Sequence, residues 1–144
     1  NRWTSIRKFS AEQLRESKEP RVIAPLLKAS EDEDAEVQLA TLQALGSFAR
    51  ENKQVADRLI DACRQGDVTV RQAAVEALGE AQVTDATPEI IRALYNVFLR
   101  PRAEEALRKI GGRQGYLAMK RIKRREELFG KQNRRKPKRR RLAD

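Results

Sequence analysis

Three groups of residues in this 144-residue chain have types that could do chemistry. Cys63 is the sole cysteine, a candidate nucleophile or attachment thiol. A working thiolate needs a neighbouring base or cation, and the chain has no histidine to serve as that base. Cys63 also lies on the apolar side of a helical pattern, where Ser30 stands thirty-three residues earlier. A small packing residue is the simpler reading. The second group is the acidic run Glu31-Asp32-Glu33-Asp34. A cation site needs ligands converging from several directions, which four consecutive side chains do not imply. A turn that caps a helix and favours its positive end explains the run more directly. No catalytic residue, metal or cofactor is expected.

The third group is basic. Residues 113–144 hold 14 Lys/Arg against 3 Asp/Glu, which leaves the preceding 112 residues at −1 within a total of +10. The candidate polyanion-binding residues are Lys120, Arg121, Lys123, Arg124 and Arg125, followed by Arg134, Arg135, Lys136, Lys138, Arg139, Arg140 and Arg141. Such a segment neutralises phosphates and releases counterions, giving salt-dependent binding without sequence preference. Residues 130–144 interleave no aromatics, so stacking on single-stranded bases is not indicated. Contact with anionic lipid heads, an import signal and a purely solubilising tail all compete with nucleic acid for this segment.

The elements that position these groups follow from a repeat. Val37, Ala40, Ala44, Leu45 and Gly46 return as Val70, Ala73, Ala77, Leu78 and Gly79, at a constant offset of thirty-three. Upstream, Val22, Leu26, Ala29 and Asp34 return as Val55, Leu59, Ala62 and Asp67. The stripe Val22-Ile23-Leu26-Leu27 marks an amphipathic first helix, repeated at Val55-Ala56-Leu59-Ile60 and at Ile90-Ile91-Leu94-Tyr95. Pro20 and Pro88 suit first helical turns, and Thr87 before Pro88-Glu89 reads as an N-terminal cap. Asp34 and Asp67 read as caps of second helices, whose alanines allow close approach. A third second helix carries Leu99, Ala103, Ala106, Leu107 and Ile110, after a shorter turn and with Pro101 near its start. Residues 3–16 read as a second helix without its partner, and Gln114–Phe129 as a closing helix. Aromatics are only 5% of the chain, which suits stacked helices better than sheets. No apolar run approaches bilayer length.

These motifs resemble the HEAT-repeat family, in the short form also found in phycobilin lyases. The resemblance rests on Pro20-Arg21, on Asp67-Val68-Thr69-Val70-Arg71 with Ala77-Leu78-Gly79, and on the degenerate copies Ile6-Arg7 and Leu99-Arg100. It implies an all-α fold, a short right-handed solenoid of about three hairpins with a half-repeat at each end, over residues 1–129. Residues 130–144 are expected to be a basic disordered tail. The resemblance also implies an Asp–Arg ladder through Asp67 and Arg71, with Asp34 as its first rung and Gln38 interrupting it.

The expected function is a non-catalytic scaffold that binds a protein partner on a concave second-helix face. Arg7, Gln38, Thr41, Arg71, Arg100 and Glu104 are the candidate contacts. Alternatives are a nucleic-acid binder, a lyase-like or base-excision enzyme, and an appendage of a larger enzyme. A cytoplasmic location is expected, or a nuclear one in a nucleated cell. Leu42 and Val75 are expected to be buried between repeats, with an apolar concave patch as the alternative. Trp3 and Phe9 either form a partner patch, or cover the end of the stack or contact a preceding repeat.

Overall fold

A computed structural model describes residues 2–134, and among them the fold is an all-α solenoid. Eight helices follow in order: α1 Arg2–Leu14, α2 Ile23–Ala29, α3 Ala35–Leu45, α4 Lys53–Gln65, α5 Val68–Glu80, α6 Thr87–Ala93, α7 Arg100–Ile110 and α8 Arg113–Arg134. Three short 3-10 turns, Pro20–Val22, Gly46–Phe48 and Thr84–Ala86, lie between them. The odd-numbered helices α1, α3, α5 and α7 pack in sequence as one layer. The helices α2, α4, α6 and α8 form the second layer, each of the first three paired with the helix that follows it.

Each hairpin starts from the signals in its sequence. Asp34 caps α3 by accepting from the N–H groups of Glu36 and Val37 at 2.9 and 3.4 Å. Asp67 caps α5 by accepting from Val70 N–H at 3.0 Å, and Asn52 caps α4 through Val55 N–H. These side chains satisfy donors that no helical carbonyl can reach. Thr87 is different. The preceding 3-10 turn leads straight into α6, so Ala86 takes the capping position and Thr87 is already helical and buried. α7 stops at Gly111 and Gly112, whose φ angles of 75° and 90° favour glycine.

The core runs between the two layers. Leu26, Val37, Leu45, Val55, Leu59, Leu78, Ile90, Leu94 and Leu99 are all shielded from solvent. Full burial of one such side chain is worth about 1.5–3 kcal/mol. Leu42 and Val75 are also fully buried, so they seal the joints between repeats rather than forming an apolar patch. Trp3, Ile6 and Phe9 lie exposed on α1 at the end of the stack. α8 runs on past Phe129 to Arg134, so the basic segment begins inside a helix. Residues 135–144, the rest of the expected tail, lie outside the described residues, as do Arg135, Lys136, Lys138, Arg139, Arg140 and Arg141.

Candidate interaction surfaces

The second-helix layer carries the first surface. Gly46, Ala73, Ala77 and Ala81 have little or no side chain, so a channel remains between α3 and α5. Its volume is about 460 Å³, and Arg15, Gln43, Arg50, Glu76 and Glu80 are among the residues that edge it. A smaller groove of about 250 Å³ continues between α5 and α7, lined by Glu76, Arg102, Glu105 and Lys109. Arg102 lies 3.7 Å from Glu76, and Lys109 pairs with Glu80. The surface is thus polar, with both signs of charge close together.

Most of the candidate contacts from the sequence turn away from this surface. Arg71 Nε donates to the Cys63 carbonyl at 2.8 Å. Gln38 Nε2 donates to the Asp32 carbonyl at 2.6 Å, and Arg100 Nε to the Leu94 carbonyl at 2.7 Å. In three successive repeats, then, one position ties the second helix to the end or exit turn of its own first helix. Gln38 performs the same task as the arginines and is no interruption. Arg7 forms a two-pronged pair with Asp32, at 2.7 and 3.1 Å, across to the next hairpin. The rung there is Asp32 rather than Asp34, and Asp67 is occupied as a cap. Glu104 is half-buried and lies 3.7 Å from Arg108.

Thr41 is fully buried, which corrects its assignment as an exposed contact. Its Oγ1 donates to the Val37 carbonyl at 2.7 Å, so the hydroxyl enters the core without an unmet hydrogen bond. The residues that do edge the channel were missed by the sequence reading. The repeat contained the signal for them: Gln43 and Ser47 return thirty-three residues later as Glu76 and Glu80.

Asp32 and Asp34 of the acidic run are used internally. The Arg7 guanidinium, and then the Asp34 N–H, hold the Asp32 carboxyl below its ordinary range. Asp67 is lowered by Val70 N–H and then by the Thr69 hydroxyl. Burial pushes the Cys63 thiol up to about 12, which leaves it protonated and unreactive at neutral pH. No group of three or more His, Cys, Asp or Glu residues suited to a metal occurs among the described residues. None of the described helices is long and apolar enough to cross a membrane.

α8 carries the second surface. Gly115, Ala118 and Ile122 anchor its first half, while every residue from Lys123 to Lys131 is exposed. Several of the array's cations pair with carboxylates: Lys8 with Glu36 at 2.9 Å, Arg64 with Glu89 at 2.8 Å, and Arg100 with Glu126. Among the described residues, Lys120, Arg121, Lys123 and Arg124 have no carboxylate partner, and Arg125 lies over the Phe129 ring at 5.6 Å.

Comparison with known families agrees with this architecture. Residues 4–79, more than half of the chain, match HEAT repeats, and residues 70–96 match the PBS lyase HEAT-like repeat. No curated protein gives a match. HEAT repeats generally act as protein-interaction scaffolds, and the family is typically non-catalytic. By its repeats and its helical stack, the chain belongs to the HEAT-repeat family.

Proposed function

We propose that the protein is a non-catalytic recognition scaffold with two working surfaces. The second-helix layer is the concave face and binds a protein partner, while α8 draws in an acidic or polyanionic surface. The observation that carries this reading is the contrast in charge use. Many of the array's cations pair with carboxylates, such as Lys8, Arg64 and Arg102, whereas among the described residues Lys120, Arg121, Lys123 and Arg124 cluster on one helix without such a partner. The polar channel edged by Gln43, Arg50, Glu76 and Glu80 supports the protein-facing role, because a stiff stack presents these groups with little ordering cost on binding.

Paired substitutions separate the surfaces. Arg50→Ala with Glu80→Ala weakens capture of specific co-purifying protein, while Gln54→Ala with Asp61→Ala on α4 leaves it unchanged. Lys120→Glu with Arg124→Glu abolishes the salt-dependent part of anionic binding. Equal effects from the α4 pair and the channel pair contradict the reading.

A further inference from the structure

Among the described residues, α8 is the one helix of the α2, α4, α6 and α8 layer with no following helix packed on it. α2, α4 and α6 lie against α3, α5 and α7. Beside α8 there is instead a groove of about 1040 Å³ shared with α7. Tyr116 and Met119 supply its apolar surface, Lys120, Lys123 and Arg124 with Glu126 and Glu127 one wall, and Arg108 with Glu104 the other. Tyr116 is 59% exposed there, a large ring left open to water.

α7 is not built to receive another helix as closely as the inner repeats do. Leu42 of α3 with Gly46 just after it, and Val75 and Gly79 of α5, hold the positions that meet the next second helix. A Cβ on Gly46 would lie 3.2 Å from the Ala77 Cβ, and one on Gly79 would lie 2.6 Å from Ala106. At the same two positions α7 has Glu104 and Arg108. An occupant must therefore stand further out and meet charge. A second copy would bring its own +10, and residues 135–144 hold six Lys/Arg against one Asp, so both are repelled. Two of the groove's three carboxylates are already engaged, Glu104 with Arg108 and Glu126 with Arg100, so Lys120, Lys123 and Arg124 outnumber the remaining Glu127. A nucleic-acid backbone would use those cations but not the apolar surface.

We infer that the α7–α8 groove binds one amphipathic helix of an acidic protein partner. The partner's apolar stripe covers Tyr116 and Met119, and its flanking carboxylates meet Lys120, Lys123 and Arg124. The bound helix lies along α8 as α3, α5 and α7 lie along their own first helices. The inference rests on the reading of α8 as the anion-facing surface, and adds to it an apolar contact and a helical register.

Fluorescence anisotropy on the full chain tests it with three probes. One is a peptide of about 18 residues with Leu at helical spacing and Glu elsewhere; the second has the same composition with its leucines scattered; the third is a short DNA duplex. The patterned peptide binds about tenfold more tightly than the scattered one, and Tyr116→Ala or Lys123→Glu each removes most of that advantage with the helical circular dichroism unchanged. Equal binding of both peptides, insensitive to Tyr116→Ala, overturns the groove but not the charged surface. Binding of the duplex alone reassigns the surface to nucleic acid and overturns the inference. If no probe binds, the groove and the anion-facing reading fail together.

Discussion

Gly79 of α5 and Ala106 of α7 approach so closely that a Cβ on Gly79 would lie 2.6 Å from the Ala106 Cα. Two second helices therefore meet backbone to backbone at this joint, and the absent side chain makes the contact possible. Gly79→Ala forces α5 and α7 apart and costs about 1–3 kcal/mol by urea unfolding. Gly46→Ala meets only the Ala77 Cβ, at 3.2 Å, and gains helix propensity of about 0.5–1 kcal/mol, so its loss is clearly smaller. Equal losses would mean that the two joints are packed alike.

The tie between Arg71 and the Cys63 carbonyl holds the second hairpin closed. Arg71→Met keeps the aliphatic stem but leaves that carbonyl without its donor, and destabilises by about 1 kcal/mol. Gln38→Met has a similar effect in the first hairpin, where the acceptor is the Asp32 carbonyl. Hydrogen exchange detects the change as lost protection at the α4 and α2 C-termini. Unchanged protection would show that these contacts add nothing.

Acid weakens the fold through two carboxylates. Asp32 and Asp67 have lowered values when folded, so their contribution is complete above the ordinary carboxylate range and is lost as pH falls through the folded values. Stability is expected to decline below about pH 4. Asp67→Asn retains a good cap near neutrality and flattens this decline, because asparagine does not titrate. Thermal melts between acid and neutral pH check both statements. An acid limb unaltered by Asp67→Asn would remove Asp67 from the account.

Cys63 is a packing residue. It is 3% exposed and its thiol is pushed up to about 12, so alkylation at mild alkaline pH is slow and limited by opening of the α4–α5 hairpin. Adding urea accelerates labelling in step with unfolding. Rapid modification of the native chain would contradict this burial.

The thirty-three-residue echo made much of the fold legible, because period, caps and burial agree along it. Asp34 and Asp67 cap as their spacing implies, and Leu42 and Val75 are buried where interior repeats alone are apolar. Thr41 was not legible from its polarity, since its hydroxyl is satisfied within its own turn of helix. Alignment with the buried Ala74 is the better guide to it. The α8 end was hidden by its weak apolar stripe. Lys123, Glu127 and Lys131 stand four apart with opposite charges, a local source of helix stability that hydrophobic periodicity does not register. Gln38, Arg71 and Arg100 read as surface positions, but the residue after the repeated valine or leucine turns toward its own first helix, and the exposed stripe lies five and nine residues further along.

The claim that the second-helix layer is the working face has one direct test. A photo-crosslinking amino acid placed at Gln43 or Glu80, and at Gln54 on α4 as the opposite-layer control, records what lies against each layer in the living cell. The account predicts discrete protein adducts from Gln43 and Glu80 and none from Gln54. Adducts from Gln54 with none from the channel would contradict it.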